Sequence, residues 1–170
     1  VKEQCLHCKE PACASACPVG ALVKTEGGPV VYDFDKCIGC RYCMVACPFE
    51  IPKYEWSKAQ QPWVKKCTFC AERQADDLPP ACVKTCPTGA LLFGEAEDLL
   101  AVAKARLAGG RYVQHIYGEK EAGGTAWIYI ADRPFAELGF NTKVPLQALP
   151  PNTWASLSKI PMEIVGFVAV

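Results

Sequence analysis

The sequence predicts an α+β fold of short helices and strands arranged in tandem modules, followed by a C-terminal extension. Twelve cysteines fall into three groups of four, and each group ends in Cys-Pro. The hexapeptide that begins at Cys17 returns at Cys86 with one changed residue, as expected of duplicated half-modules. With 14 prolines and 13 glycines in 170 residues, loops organised by bound groups are favoured over a broad apolar core.

The spacing of the cysteines indicates iron-sulfur clusters. The middle group, from Cys37 to Cys47, follows C-x2-C-x2-C-x3-C-P, the spacing by which bacterial ferredoxins hold 4Fe-4S clusters and lend the fourth thiolate to the neighbouring cluster. Such a cluster needs four soft thiolates, and a small residue such as Gly39 lets the loop backbone approach it. The chain is therefore predicted to bind three 4Fe-4S clusters and to carry electrons.

Crossed ligation assigns the cysteines to sites. The first site takes Cys5, Cys8, Cys13 and Cys47, and the second takes Cys37, Cys40, Cys43 and Cys17. The third group has eleven residues between its second and third cysteines and no partner group in this chain. The third site is expected to hold Cys67, Cys70 and Cys82. Its fourth ligand is either Cys86 or an upstream cysteine, and in the second case Cys86 completes a fourth cluster held by an upstream motif.

Other uses of the cysteines fit the pattern less well. Cysteine makes up about 7% of the chain, just below the share typical of secreted disulfide scaffolds. Structural zinc usually joins two C-x2-C pairs across a longer gap, and the tight triple from Cys37 to Cys43 suits one tetrahedral ion poorly. His7 lies inside the first group, but all four cysteines of that group are present, so it is not expected to be a ligand.

Local patterns predict the elements of the cluster-binding part. Residues 21–24 and 29–32 flank a Gly-Gly turn and are expected to form two short strands. Residues 11–16 and 40–46 are expected to be short helical turns that carry cysteines. Together these pieces predict a ferredoxin-like unit that holds two clusters.

The expected organisation has three parts. Residues 1–93 bind the clusters, with a paired two-cluster module over 1–56 and half of a second module over 57–93. Residues 94–135 form a covering element, in which apolar residues at helical spacing between Ala96 and Leu107 predict a helix and residues 126–131 predict a buried strand. Residues 136–170 form an extended tail that docks on a partner or on a membrane. The apolar run 160–170 is either a buried segment or the start of a truncated membrane helix.

Charge and glycine patterns exclude other classes of partner. The formal charge is zero, with 18 basic and 18 acidic residues, so nothing indicates nucleic acid. Neither G-x-G-x-x-G nor a phosphate-binding loop occurs in the sequence, so no nucleotide is expected.

Lys65 and Lys66 directly precede Cys67. A positive charge at this position would raise the potential of a cluster, but a solvated surface explains the two lysines equally well.

A family resemblance rests on several segments: CLHC at 5–8 with PAC at 11–13, DKCIGCRYCMVACPF at 35–49, IPKY at 51–54, LLFG at 91–94 and IYGEKEAGGT at 116–125. In these segments the chain resembles the four-cluster iron-sulfur beta subunit of bacterial membrane-bound respiratory oxidoreductases, with hydrogenase-2 as the nearest type. The first cluster motif of that family has no counterpart here, since it would precede Val1. The resemblance therefore implies a fragment whose complete form has four clusters.

The resemblance also implies a role and partners. The chain is expected to relay electrons between a redox partner and an integral-membrane quinone-reactive subunit. The redox partner is either a catalytic subunit, namely a hydrogenase or a molybdopterin enzyme such as formate dehydrogenase, or a multihaem cytochrome. It is expected on the periplasmic face of the bacterial cytoplasmic membrane and to catalyse nothing alone. Two alternatives remain open: a free-standing soluble polyferredoxin, and a structural zinc or disulfide protein without redox function.

Overall fold

The computed structural model describes residues 3–57 and 63–151, and in these ranges the elements are short, as expected of a chain rich in proline and glycine. The α-helices are α1 (Ala12–Ser15), α2 (Tyr42–Ala46), α3 (Ala71–Ala75), α4 (Ala81–Lys84) and α5 (Ala96–Ala108). The strands are β1 (Leu22–Lys24), β2 (Val30–Tyr32), β3 (Lys53–Tyr54) and β4 (Val64–Lys65), and a 3-10 helix spans Glu121–Gly123. This mixture agrees with the predicted α+β class.

The predicted hairpin at the start of the chain is present. Strands β1 and β2 pair in antiparallel fashion, with Leu22 opposite Tyr32 and Lys24 opposite Val30. The turn between them closes through the Thr25 amide, which donates to the Pro29 carbonyl at 2.9 Å. Strands β3 and β4 form a second antiparallel hairpin, which the sequence did not predict. Side chains from both hairpins, including Leu22, pack with Cys13 and Cys43 in one apolar cluster.

The internal repeat is longer in the structure than the hexapeptide indicated. Residues 11–22 read PACASACPVGAL and residues 80–91 read PACVKTCPTGAL. Each copy starts a one-turn helix, α1 or α4, directly after a proline. Each copy then turns through a glycine with a φ of 62°, Gly20 or Gly89, whose amide donates to the carbonyl of the last cysteine at 3.3 Å. The two segments therefore share one local conformation.

An aromatic cluster joins the cysteine loops to the later part of the chain. Its buried members are Leu6, Phe69, Tyr117, Trp127 and Phe135. Backbone hydrogen bonds reinforce this contact, since the amides of residues 126 and 127 donate to the carbonyl of Leu6 at 3.1 Å. The segment after residue 110 thus packs directly against the first cysteine loop.

Helix α5 forms where the sequence predicted it. It buries Ala103 and Leu107, which pack with Ile116 in a separate apolar cluster. It ends at Ala108, immediately before the Gly109-Gly110 pair.

The prediction of a buried strand over residues 126–131 was wrong. Within this range Tyr129 forms an isolated bridge with Tyr117, and just before it Thr125 forms another with Cys8. The reason is that the amides of Ala126 and Trp127 donate to the cysteine loop instead of to a neighbouring strand.

The described part of the predicted tail returns to the cysteine region. Phe140 packs against the aromatic cluster, and the side-chain amide of Asn141 donates to the Pro48 carbonyl at 3.0 Å. The run 160–170, for which we considered a membrane helix, lies outside the described residues. Over 3–57 and 63–151, none of the helices combines the length and apolar character needed to cross a bilayer.

Candidate metal-cluster sites

The twelve cysteines all carry free thiols, so the structure contains no disulfide framework. The structure therefore gives no support to the disulfide alternative.

Four of these thiols meet at the first predicted site. Cys13 lies in α1 and Cys47 ends α2, and these two helices pack against each other. Burial, then the neighbouring thiols of Cys47, Cys13 and Cys5, raises the pKa of Cys8 to about 12. Burial, then Cys5 and Cys47, likewise raises the pKa of Cys13 to about 12. Cys47 is thus close enough to influence the ionisation of cysteines in the first group.

The second predicted set also lies together. Cys17, Cys37, Cys40 and Cys43 line one cavity, whose walls include Leu22, Tyr32 and Tyr54. Burial raises the pKa of Cys43, the Tyr54 hydroxyl 3.8 Å from its sulfur lowers it, and the other three cysteines raise it. Cys17 comes from the end of α1, whereas Cys43 lies in α2, so the two helices exchange cysteines between the sites.

The cysteines of the third group have different contacts from those of the first two sites. The Phe69 amide donates to the sulfur of Cys67 at 3.4 Å, and Cys82 packs against the aromatic cluster. Cys70 precedes α3 in a left-handed conformation with a φ of 50°.

Cys86 lies in the second copy of the repeat. A hydrogen bond from the Thr88 hydroxyl and the amides of its own loop lower the pKa of Cys86 to about 7, against a small opposing effect of burial. The groups that act most on Cys86 are therefore polar groups of one loop, whereas those acting on Cys43 include three cysteines.

The three C-x2-C loops share a backbone feature that sequence reasoning found only in part. The residue before the second cysteine has a positive φ in each loop: 50° at His7, 71° at Gly39 and 57° at Phe69. Only Gly39 was singled out from the sequence. For a residue with a Cβ this conformation costs roughly 1–2 kcal/mol, and it persists where the surroundings fix it. For His7 and Phe69, the signal available in the sequence was their position directly before the second cysteine of C-x2-C.

His7 provides a test of whether a bound group fits these loops. Its side chain is fully buried, its Nδ1 accepts a hydrogen bond from the Val30 amide at 2.9 Å, and its ring stacks on Phe69 with centroids 4.8 Å apart. Burial, then Lys66 and Lys24, lowers the pKa of His7 to about 3, so the ring is neutral and Nε2 carries the proton. That buried Nε2–H has no acceptor among the described residues.

A buried donor without an acceptor is costly, and this one belongs to a residue between two cysteines of the first group. A 4Fe-4S cluster presents sulfur acceptors and needs four thiolates, so both the orphaned donor and the donor set fit this cofactor.

Three lysines near the cysteine loops have contacts that the sequence did not reveal. Lys65 is exposed and lies 3.9 Å from Glu55. Lys66 is half-buried, and its ammonium donates to the carbonyls of Val30 and Cys67, the latter at 3.1 Å. Lys24 donates to the carbonyls of His7 at 3.1 Å and Gly28 at 2.5 Å. Sequence reasoning did not separate Lys66 from Lys65 and did not identify Lys24.

Comparison with known proteins agrees with this site. The 4Fe-4S dicluster domain family matches residues 1–96. A protein of Nitratidesulfovibrio vulgaris is 47% identical over 165 residues, which cover 96% of this chain and 45% of that protein. The hydrogenase-2 operon protein HybA of Escherichia coli O157:H7 is 40% identical over 166 residues, covering 81% of this chain and 50% of HybA.

A third relative is the iron-sulfur subunit of the nitrate-inducible formate dehydrogenase of Escherichia coli K12. It is 38% identical over 176 residues, covering 99% of this chain and 58% of the subunit. The chain thus spans about half the length of the curated relatives it matches. These names confirm the resemblance drawn from the cysteine motifs. Since the matched region is more than half of the chain and contains all twelve cysteines, the chain belongs to the 4Fe-4S dicluster domain family.

Proposed function

We propose that this chain binds 4Fe-4S clusters at three cysteine sites and relays electrons through them within a larger respiratory oxidoreductase. The observation that carries the proposal is the exchange of cysteines between α1 and α2. Cys47 acts on the thiols of the first group, and Cys17 shares a cavity with those of the second group. This is the crossed pattern by which paired 4Fe-4S clusters are held.

The ligand sets follow the two groupings. The first site is assigned Cys5, Cys8, Cys13 and Cys47, and the second is assigned Cys17, Cys37, Cys40 and Cys43. The third site is assigned Cys67, Cys70 and Cys82. Its fourth thiolate comes from Cys86 or from an upstream motif, in which case Cys86 serves a fourth cluster. Residues 1–56 then form one paired module, and residues 57–93 form half of a second.

A bound 4Fe-4S cluster supplies a one-electron redox centre. The chain supplies the ligands and backbone hydrogen-bond donors to two of their sulfurs. The Ala21 amide donates to the sulfur of Cys17 at 3.2 Å, and the Phe69 amide donates to that of Cys67. Buried side chains, among them Leu22, Val30 and Val64, exclude water from the first two sites.

Partners and location are inferred from the relatives. HybA belongs to a hydrogenase-2 operon, and the third relative is a formate dehydrogenase subunit. We therefore assign the chain a catalytic redox partner of the hydrogenase or molybdopterin type, or a multihaem cytochrome, and a membrane quinone-reactive subunit. The periplasmic face of the membrane is the proposed location. Residues 94–135 are assigned to cover the sites, and residues 136–170 to dock on a partner.

Iron analysis and spectroscopy of anaerobically purified protein test the function. We expect about twelve iron and twelve sulfide ions per chain, brown colour, and electron paramagnetic resonance signals of reduced 4Fe-4S clusters. Colourless protein with stoichiometric zinc would contradict the proposal.

A free-standing polyferredoxin is the second candidate, and purification from the native membrane distinguishes it. The proposed subunit is recovered with a nickel or molybdopterin protein, whereas a polyferredoxin is recovered alone. Recovery of the full-length protein without any partner would support the second candidate.

A further inference from the structure

The first two cysteine sites have different electrostatic surroundings. Near the first site, Lys24 and Lys66 are both half-buried, and backbone carbonyls hold their ammonium groups in place. Around the second site the nearest polar side chains are the hydroxyls of Tyr32 and Tyr54, and the rest of the cavity wall is apolar. Two cations flank its loop, but the guanidinium of Arg41 stacks on Trp56, 4.5 Å from the ring centroid, and exposed Lys36 pairs with Asp33 at 2.9 Å.

Hydrogen bonds fix both lysines beside the first cysteine loop. Lys24 binds the carbonyl of His7, which lies between Cys5 and Cys8. Lys66 binds the carbonyl of Val30, and the amide of Val30 donates to His7. The ammonium of Lys24 therefore contacts the first loop directly, whereas that of Lys66 binds the residue whose amide holds the His7 ring.

The contacts of Val30 support the same placement. Its carbonyl accepts a hydrogen bond from Lys66, and its side chain packs with Cys13 in one apolar cluster.

From this asymmetry we propose that the ammonium groups of Lys66 and Lys24 hold the reduction potential of the cluster at the first site above that of the cluster at the second. The inference rests on the proposed function. Reduction transfers one electron from the donor partner to a cluster, adds one negative charge, and forms or breaks no bond to hydrogen. A fixed positive charge in a poorly solvated place stabilises that added charge.

The matched pair Lys66→Met and Lys65→Met tests the proposal. Both variants remove one positive charge from adjacent positions, but Lys65 is exposed whereas Lys66 is half-buried and binds the carbonyls of Val30 and Cys67. Redox titration of the cluster-loaded chain, followed by electron paramagnetic resonance, measures each potential. Separate Cys8→Ser and Cys40→Ser variants show which signal belongs to which site.

We expect Lys66→Met to reduce the equilibrium constant for reduction of the first cluster about tenfold, which corresponds to about 59 mV for one electron. Lys66→Arg should retain most of the potential, and Lys65→Met should change the constant less than about twofold. Arg41→Met should shift the second cluster less than Lys66→Met shifts the first.

Several results would overturn the proposal: a first-site potential below that of the second in the unmodified chain, no shift in Lys66→Met, or an equal shift in Lys65→Met. If Lys66→Met fails to assemble, Lys24→Met is tested instead. An unchanged first-site potential in Lys24→Met would likewise overturn the proposal. Absence of iron and sulfide from the unmodified chain would instead contradict the proposed function, so the two failures are distinguishable.

Discussion

The two copies of the repeat, residues 11–22 and 80–91, have the same backbone and different neighbours. Both start a one-turn helix after proline and turn through a glycine with a φ of 62°. Yet Cys17 lines a cavity with three other cysteines, whereas the Thr88 hydroxyl and loop amides are the main influences on Cys86. Local sequence thus determines the shape of the loop, and distant segments determine what its cysteine faces.

Removing the last cysteine of each copy is the strongest way to test this difference. We expect Cys17→Ser to lose about four iron ions per chain, because three other thiols of the second site depend on it. Cys86→Ser should lose less than half as much from this chain, since its thiol has no such grouping around it. Iron and sulfide analysis measures both. Equal losses would instead assign Cys86 to the third site.

Truncating the last leucine of each copy compares the packing behind the loops. Leu22 is buried in the apolar cluster beside Cys13, whereas Leu91 is only half-buried. We expect Leu22→Ala to destabilise the loaded chain by about 3 kcal/mol and Leu91→Ala by about half of that. Urea titration, followed by loss of cluster absorption, gives the two midpoints. A larger effect at Leu91 would contradict the comparison.

Substitution of the two glycines tests whether the loops are locally equivalent. A Cβ at Gly20 or Gly89 meets no atom within 4 Å, so only the left-handed conformation opposes alanine. We expect Gly20→Ala and Gly89→Ala each to cost about 1 kcal/mol, with equal midpoints in the same urea titration. Unequal costs would show that the backbones differ.

The smallest effect concerns the one side chain that differs within the hexapeptide, which is Val19 in the first copy and Thr88 in the second. The thiol pKa of about 7 means that Cys86 is a thiolate above pH 7 and that its alkylation slows as the pH falls below 7. Thr88→Val removes the hydroxyl, so the midpoint should rise towards the ordinary value of 9.0.

The rate of iodoacetamide modification of Cys86 in the chain before cluster loading, measured between pH 5 and 9 by mass spectrometry, checks this expectation. At pH 7 the variant should react several-fold more slowly. Thr85→Val is the matched control, because the Thr85 hydroxyl donates to the Ala81 carbonyl and not to Cys86. A profile that is unchanged in Thr88→Val would refute the assigned role of the hydroxyl.

Sequence reasoning succeeded where local pattern decides structure. The first hairpin, α1, α2 and α5 lie where turn residues, cysteine spacing and helical periodicity predicted them. The crossed ligation that the motif spacing predicts stays a prediction, and the influence of Cys47 on the thiol of Cys8 supports it.

It failed where partners are distant in sequence. Residues 126–131 have the apolar composition of a strand, but the first cysteine loop takes the amides at positions 126 and 127. Likewise Lys65 and Lys66 are indistinguishable as neighbours in a sequence. Only pairing with Val30, 36 residues earlier, directs Lys66 inwards.

The stacking of His7 on Phe69 has a consequence for the biosynthesis of the protein. His7 precedes the second cysteine of the first loop, and Phe69 precedes that of the third. When metal insertion orders one loop, it therefore fixes the ring against which the other loop stacks. We expect filling of one loop to favour filling of the other. Native mass spectrometry of partially reconstituted protein would reveal this coupling, and His7→Ala should abolish it.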